Sequence, residues 1–257
     1  MKLHEEIRGA LQSARSHETV IEIDATPEEV WEALTNPGVI PRWFAPQAEV
    51  SPGPGGSITW NWGDGIVWRS GIETWEPPSR LRLTEVREKT LTVDGHTEPL
   101  EPRRLVQDYI LETSKGKTLL RLVHSGFGSS ADWDGEFEGT LGGWACCFTS
   151  LKIMLEKHRQ HQATNRFFAQ PIAGLAPIEA LRRFRSRLPA DFRPYLDATY
   201  ETLGTLKCGA VTLSISAAPS PAGCVLYCGV IAYSVSSQEA GALSAKLRSE
   251  AAALQEC

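Results

Sequence analysis

From Ala48 to His124 the chain alternates apolar segments with turn signals. "SITWNW" puts Ile58, Trp60 and Trp62 on one face by strict alternation. "GDG" at 63–65 marks a turn, "IVWRSGIETWE" follows, and "PPS" separates it from "RLRLTEVRE". A polar loop, "DGHTEPLEPR", leads to "RLVQDYILET", and "SKGK" returns the chain into "TLLRLVHS". Successive strands joined by short turns imply an antiparallel meander.

The longest helical signal follows, over residues 131–161. Trp133, Phe137, Leu141, Trp144, Phe148, Leu151 and Leu155 recur every three or four residues and form one apolar stripe. Asp132, Asp134, Glu136 and Glu138 suit the positive end of the helix dipole. Gly135, Gly139, Gly142 and Gly143 each cost about 1 kcal/mol relative to Ala, so the helix packs closely or bends there.

Ahead of the meander, Glu18 to Ala25 reads as a strand with Ile21, Ile23 and Ala25 on one face. Thr26, Pro27 and Glu29 then make a capping box with proline at the first helical position. Val30, Trp31 and Leu34 are the buried stripe of this helix, and Pro37 stops it at Asn36. A second short helix is expected to restart beside Trp43 and Phe44. Met1 to Ser16 reads as a short helical extension with Leu3, Ile7 and Leu11 on one side.

After Gln162 the pattern changes. "TNRFFAQPIAGLAPIEALRRFRSRLP" reads as a linker-like opening and then a helix, and "DFRPYLDATYETLG" as another helix. "GAVTLSISAAP" and "GCVLYCGVIAYSV" are strands, and the last helix carries Leu243, Leu247 and Leu254. The expected division is an extension over 1–16, a main domain over 17–162 and a small α+β unit over 163–257. A unit of about ninety residues has little core of its own. It is expected to lean on the main domain or on a second copy, as a homodimer joined through strand edges.

The chain has 257 residues, 42% hydrophobic and 22% charged, which suits a soluble globular protein. A net charge of -5 argues against a general affinity for nucleic acid or anionic membrane. The first sixteen residues carry no apolar run of a secretory signal, and nothing approaches a membrane span. The six cysteines form no CxxC pair, so reduced thiols and a cytoplasmic location are expected. Cys224 and Cys228 share a strand face about 13 Å apart, too far for a disulfide. His158 and His161 lack a third ligand, and no metal or cofactor is expected. No G-x-S-x-G, H-E-x-x-H or dinucleotide fingerprint is present.

Strand, two short helices, meander, long helix is the order of a helix-grip fold. "IDATPEEVWEALTNPGVIPRWFAP", "GIETWEPPSRLRLTE", "LVHSGFG" and the "GW" at 143–144 resemble the START-like, or SRPBCC, superfamily. Within it the chain is most similar to the branch named for the activator of the ninety-kilodalton heat-shock protein ATPase, over about residues 17–160. The resemblance implies a curved sheet gripping the long helix, with the two short helices plugging one end. It implies a ligand cavity between sheet and helix.

The residues expected to line that space are Trp43, Phe44, Trp60, Trp62, Trp68, Phe137, Trp144 and Phe148. The alternative is that these rings are packed core. His124 is the candidate acid–base group, with Asp108 or Glu73 as partner. Arg69, Glu73 and Glu85 lie on strands whose faces the sequence leaves open; one turned inward would anchor a ligand. The leading expectation is a binding protein for a small hydrophobic or aromatic molecule. The alternatives are a polyketide cyclase or aromatase using the same cavity, and a heat-shock ATPase regulator.

Overall fold

The computed structural model describes residues 14–88, 90–93, 96–99, 102–194 and 203–256. Strand β1 runs over Ala14–Ile23, and helix α1 follows over Pro27–Thr35. The Thr26 side chain accepts from the Glu29 amide and the Glu29 carboxylate accepts from the Thr26 amide, so the capping box forms. A 3-10 turn at Ile40–Arg42 is the second short helix. The meander comprises β2 (Gln47–Ser51), β3 (Ser57–Gly63), β4 (Ile66–Glu76), β5 (Arg80–Arg87), β6 (Thr90–Val93), β7 (His96–Pro99), β8 (Arg103–Ser114) and β9 (Lys117–Gly128). Six of these strands join β1 in one seven-stranded antiparallel sheet, in the order β1-β9-β8-β5-β4-β3-β2. The pair β6 and β7 stands apart as its own ribbon. Helix α2, Asp134–Lys157, begins after a 3-10 turn at Ala131–Trp133 and lies in the grip of the sheet.

The second sheet is built from β10 (Ala163–Ala173), β11 (Arg193–Pro194), β12 (Leu203–Cys208), β13 (Val211–Ser220) and β14 (Gly223–Tyr233), in the order β10-β14-β13-β12-β11. Helices α3 (Pro177–Arg187) and α4 (Ser237–Ala252) cover one of its faces. Phe168, Leu181, Phe184, Leu213, Leu226 and Leu247 are in the core beneath them. The architecture is α+β: a helix grip and a smaller α+β unit.

Helix α2 is buried on two sides. Trp144, Phe148, Leu151 and Leu155 join the core of the seven-stranded sheet. Cys146, Ser150 and Ile153 are also buried, and α2 touches β12 and β13. Ser150 Oγ and Ser214 Oγ share a hydrogen bond of 3.2 Å across that contact. The second unit also enters the first core directly, through Ile231 and Tyr233 of β14.

Four segments depart from the sequence reading. Ala14–Ser16 belong to β1, because the strand pairs with β9 as far as Gly128; Leu3, Ile7 and Leu11 lie outside the described residues. The expected polar loop contains the β6–β7 ribbon. The expected linker after Gln162 is β10, an eleven-residue strand at the sheet edge. Its Pro171 hides the strand signal, yet an edge strand tolerates a residue with no amide to donate. The helix expected over "DFRPYLDATYETLG" ends instead in β12, which a two-residue turn at Gly209-Ala210 folds onto β13. Residues 195–202 lie outside the described ones.

Candidate functional site

The inner face of the sheet follows from strand parity. Ile58 and Trp60 on β3, Leu81 and Leu83 on β5, Tyr109 and Leu111 on β8, and Leu120 and Leu122 on β9 all enter one core with α2. The break after α1 delivers two rings to this core. Trp43 is buried and its indole N–H donates to Ala33 O at 2.8 Å, tying the 3-10 turn to the end of α1. Phe44 then stands between the elements. It stacks on Trp43 and Trp144, at 5.1 and 5.6 Å between centroids, and meets Trp60 and Trp62 edge-on at 5.9 and 5.2 Å. Trp62 leads outward to Trp68 at 4.7 Å, and Trp68 is 40% exposed. Trp144 leads inward to Phe148 at 5.8 Å. The rings therefore run from the surface to the deepest part of the grip.

The second unit holds the segment that carries Phe44. The Asn165 amide donates to Pro41 O and to Phe44 O, at 3.0 and 2.9 Å. The Tyr233 hydroxyl donates to Arg42 O at 2.8 Å, and its ring stacks on His158 at 4.1 Å. These backbone carbonyls belong to a turn and lack sheet partners, so side chains from the second unit satisfy them.

Phe137 stands with a different group, at the N-terminal end of α2. It meets His17 at 5.3 Å and Phe127 at 5.4 Å. His17 and His124 are register partners on β1 and β9, both buried, with rings 5.3 Å apart. Gly126 explains how His124 and Phe127 come to touch at 4.6 Å. It is the extra residue where the β1–β9 register shifts, with φ of 99° and no room for a Cβ against Arg104 O. The bulge turns both rings inward although they are three residues apart. Gly128, the last residue of "LVHSGFG", lies under the Trp133 indole, where a Cβ would overlap the ring.

His124 Nδ1 accepts from the Trp144 indole N–H at 3.3 Å. His17 Nε2 bonds Thr140 Oγ1 at 3.0 Å. Loss of solvent pulls His17 down to about 4 and His124 to about 3, with His17 and Arg87 adding to the fall at His124. Both rings are neutral at pH 7. Nearby, the buried Tyr109 hydroxyl donates to Gln107 Oε1 at 2.8 Å.

The strand charges divide between faces. Asp108 accepts from Arg80 at 2.8 Å and from Arg82 at 3.3 Å. Glu73 pairs with Arg82 at 3.2 Å and with Arg104. Asp108 pairs across β8 and β9 with Val123, one residue out of phase with His124, so it faces away from the histidine. The expected pairing of His124 with Asp108 or Glu73 is therefore not formed; the structure corrects it. Arg69 is also outward, donating to Ser57 Oγ at 3.4 Å. A groove of about 520 Å³ opens beside Ser57, Arg69, Gly71 and Thr84.

Glu85 follows Leu81 and Leu83 on the inner-face parity of β5. Arg87 holds it at 2.8 Å and also approaches Glu136 of α2 at 3.2 Å. Burial pushes the Glu85 carboxyl up against the pull of Arg87. His17, Gln107, Tyr109 and Thr140 were not singled out from the sequence. The alternation of β8 carried the signal for Gln107 and Tyr109; His17 had none, because its strand was read as starting after it.

The family described as Activator of Hsp90 ATPase homolog 1-like protein matches residues 24–156, just over half of the chain. The chain belongs to this family. The matched region spans α1, the meander and α2, so family membership covers the grip. Among solved structures, MLL2253 from Mesorhizobium loti is 26% identical, over 56% of this chain and 98% of that one, with a TM-score of 0.46. CalU16 from Micromonospora echinospora is 24% identical, over 57% and 79%, with a TM-score of 0.41. DynU16, from the dynemicin biosynthetic locus, is 18% identical over 93% of this chain and 96% of that one, with a TM-score of 0.42. No curated protein matches the chain. Among the described residues no helix is long and apolar enough to cross a membrane.

Proposed function

We propose that this chain binds a small hydrophobic or aromatic molecule between the inner face of the seven-stranded sheet and α2. The observation that carries the reading is the ring path from exposed Trp68 through Trp62 and Phe44 to Trp144 and Phe148. Phe44 occupies the centre of the path and sits on the turn between α1 and β2, outside the hydrogen-bonded ladder of the sheet. A ligand enters at Trp62 and Trp68 by displacing Phe44, and stacks on Trp60 and Trp144 in its place. The second unit sets how far Phe44 travels, through Asn165 and Tyr233.

Native mass spectrometry of the full chain, incubated with a panel of two- and three-ring aromatic molecules, tests the reading. One bound molecule per chain, with tryptophan emission altered, is the expected result. No adduct with any member and unaltered emission would overturn it.

A second reading, cyclase-type catalysis in the same space, draws on Glu85. A carboxyl whose pKa is raised by burial inside a binding space is suited to proton transfer. Under that reading Glu85→Gln abolishes turnover and leaves ligand binding intact.

A further inference from the structure

The two buried histidines carry complementary hydrogen-bonding capacity that nothing among the described residues uses. Trp144 can only donate, so His124 Nδ1 is an acceptor and the neutral ring carries its proton on Nε2. That Nε2–H is buried and has no partner among the described residues. The Thr140 hydroxyl donates to Glu136 O at 2.8 Å and reaches Phe137 O at 3.1 Å, so its single proton is committed to the helix. Thr140 Oγ1 therefore accepts from His17, which places the His17 proton on Nε2. His17 Nδ1 is left as a bare acceptor, also buried and without a partner among the described residues. One donor and one acceptor thus lie on adjacent strands, at paired positions, with rings 5.3 Å apart.

We propose that His17 and His124 together form a subsite for one hydroxyl group, phenolic or enolic, carried by the ligand of the grip. The proposal rests on the ligand-binding reading above and specifies the class of molecule. A carbonyl or ether oxygen accepts only and would leave His17 Nδ1 unused. An ammonium donates only and would leave His124 Nε2–H unused. A hydroxyl does both at one atom. The surroundings select a flat apolar frame behind that hydroxyl. Phe127 stacks on His17 at 5.5 Å and meets His124 at 4.6 Å, Phe137 meets His17 at 5.3 Å, and Trp144 meets His124 at 6.4 Å. Arg15 lies over Phe137 at 4.7 Å and pairs with Asp134 at 2.6 Å. Burial keeps both imidazoles uncharged at pH 7, so neither offers a cation to a carboxylate or phenolate.

The test compares 1-naphthol with naphthalene, titrated into the full chain and followed by tryptophan emission. Two neutral hydrogen bonds predict that naphthol binds about tenfold tighter. In His124→Phe and in His17→Phe the ratio of the two affinities falls towards one. His124→Gln, which restores a donor, recovers part of the preference. Should a phenylalanine variant fail to fold, long-range proton–nitrogen spectra of the wild-type chain decide. They should show both rings in the Nε2–H form, and naphthol but not naphthalene should shift the His17 Nδ1 resonance. Equal affinities in the wild-type chain, or His17 in the Nδ1–H form, would overturn the hydroxyl subsite and leave the binding reading standing. If neither probe binds, the binding reading itself falls and the subsite with it.

Discussion

Acid should weaken this fold in a window set by two residues. The ordinary histidine pKa is 6.5, and burial lowers His17 to about 4 and His124 to about 3. The unfolded chain therefore binds protons below pH 6.5 that the folded chain refuses. Stability is complete above about pH 6.5 and declines as pH falls towards the folded values. Each histidine loses about 2 kcal/mol of stabilisation between pH 7 and pH 5, so the pair loses about 4 kcal/mol. That is a large share of a domain stability of roughly 5–15 kcal/mol. Urea unfolding at pH 7 and pH 5 measures it. Other groups titrate as well, so the informative quantity is the difference between wild type and His124→Gln. The variant should lose about 2 kcal/mol less than wild type over that interval, whatever its stability at pH 7. An identical loss in both proteins would refute the placement of His124 as a neutral buried ring.

Trp144→Ala should destabilise the protein by about 3–5 kcal/mol, as removal of a buried indole does, and should weaken probe binding; unchanged thermal melting and binding would remove Trp144 from the inner face. Gly128→Ala forces a Cβ into the Trp133 indole and should cost about 1–3 kcal/mol, read by urea unfolding, whereas Gly65→Ala, in a turn with open space, should cost only the strain of its positive φ. A chain ending at Gln162 loses Ile231 and Tyr233 from the grip core and uncovers Cys146, Ser150 and Ile153 on α2. It should melt well below the full chain by circular dichroism and self-associate in light scattering. A truncated chain as stable as the whole would make residue 162 an energetic boundary as well as a topological one.

The grip was legible because each of its elements carries its own local signal. The capping box at Thr26 and Glu29, the alternation of Ile58, Trp60 and Trp62, and the three-and-four spacing from Trp133 to Leu155 depend on neighbours in sequence. The aromatic candidates followed from the same signals, and seven of the eight stand in one path of ring contacts. The long-range features were hidden. The inward turn of both His124 and Phe127 depends on a bulge, and a bulge is a property of two strands. Asp108 looked like a partner for His124 by proximity in the sheet, but strand parity places it on the other face beside Arg80 and Arg82. Strand β10 was obscured by Pro171, whose tolerance depends on an edge position that only the complete sheet order reveals. The contribution of Tyr233 to the first core had no local signature, since burial by a partner 191 residues away in sequence leaves none.

Binding in the grip requires that an apolar molecule take the place of Phe44 against Trp60 and Trp144. Isothermal titration of naphthalene into the full chain and into Trp60→Ala measures this exchange. We expect saturation at one molecule per chain with wild type, and a substantially weaker fit with the variant while circular dichroism shows it folded. Heat that fails to saturate, or identical binding by both proteins, would rule out a ligand seated in the place of Phe44.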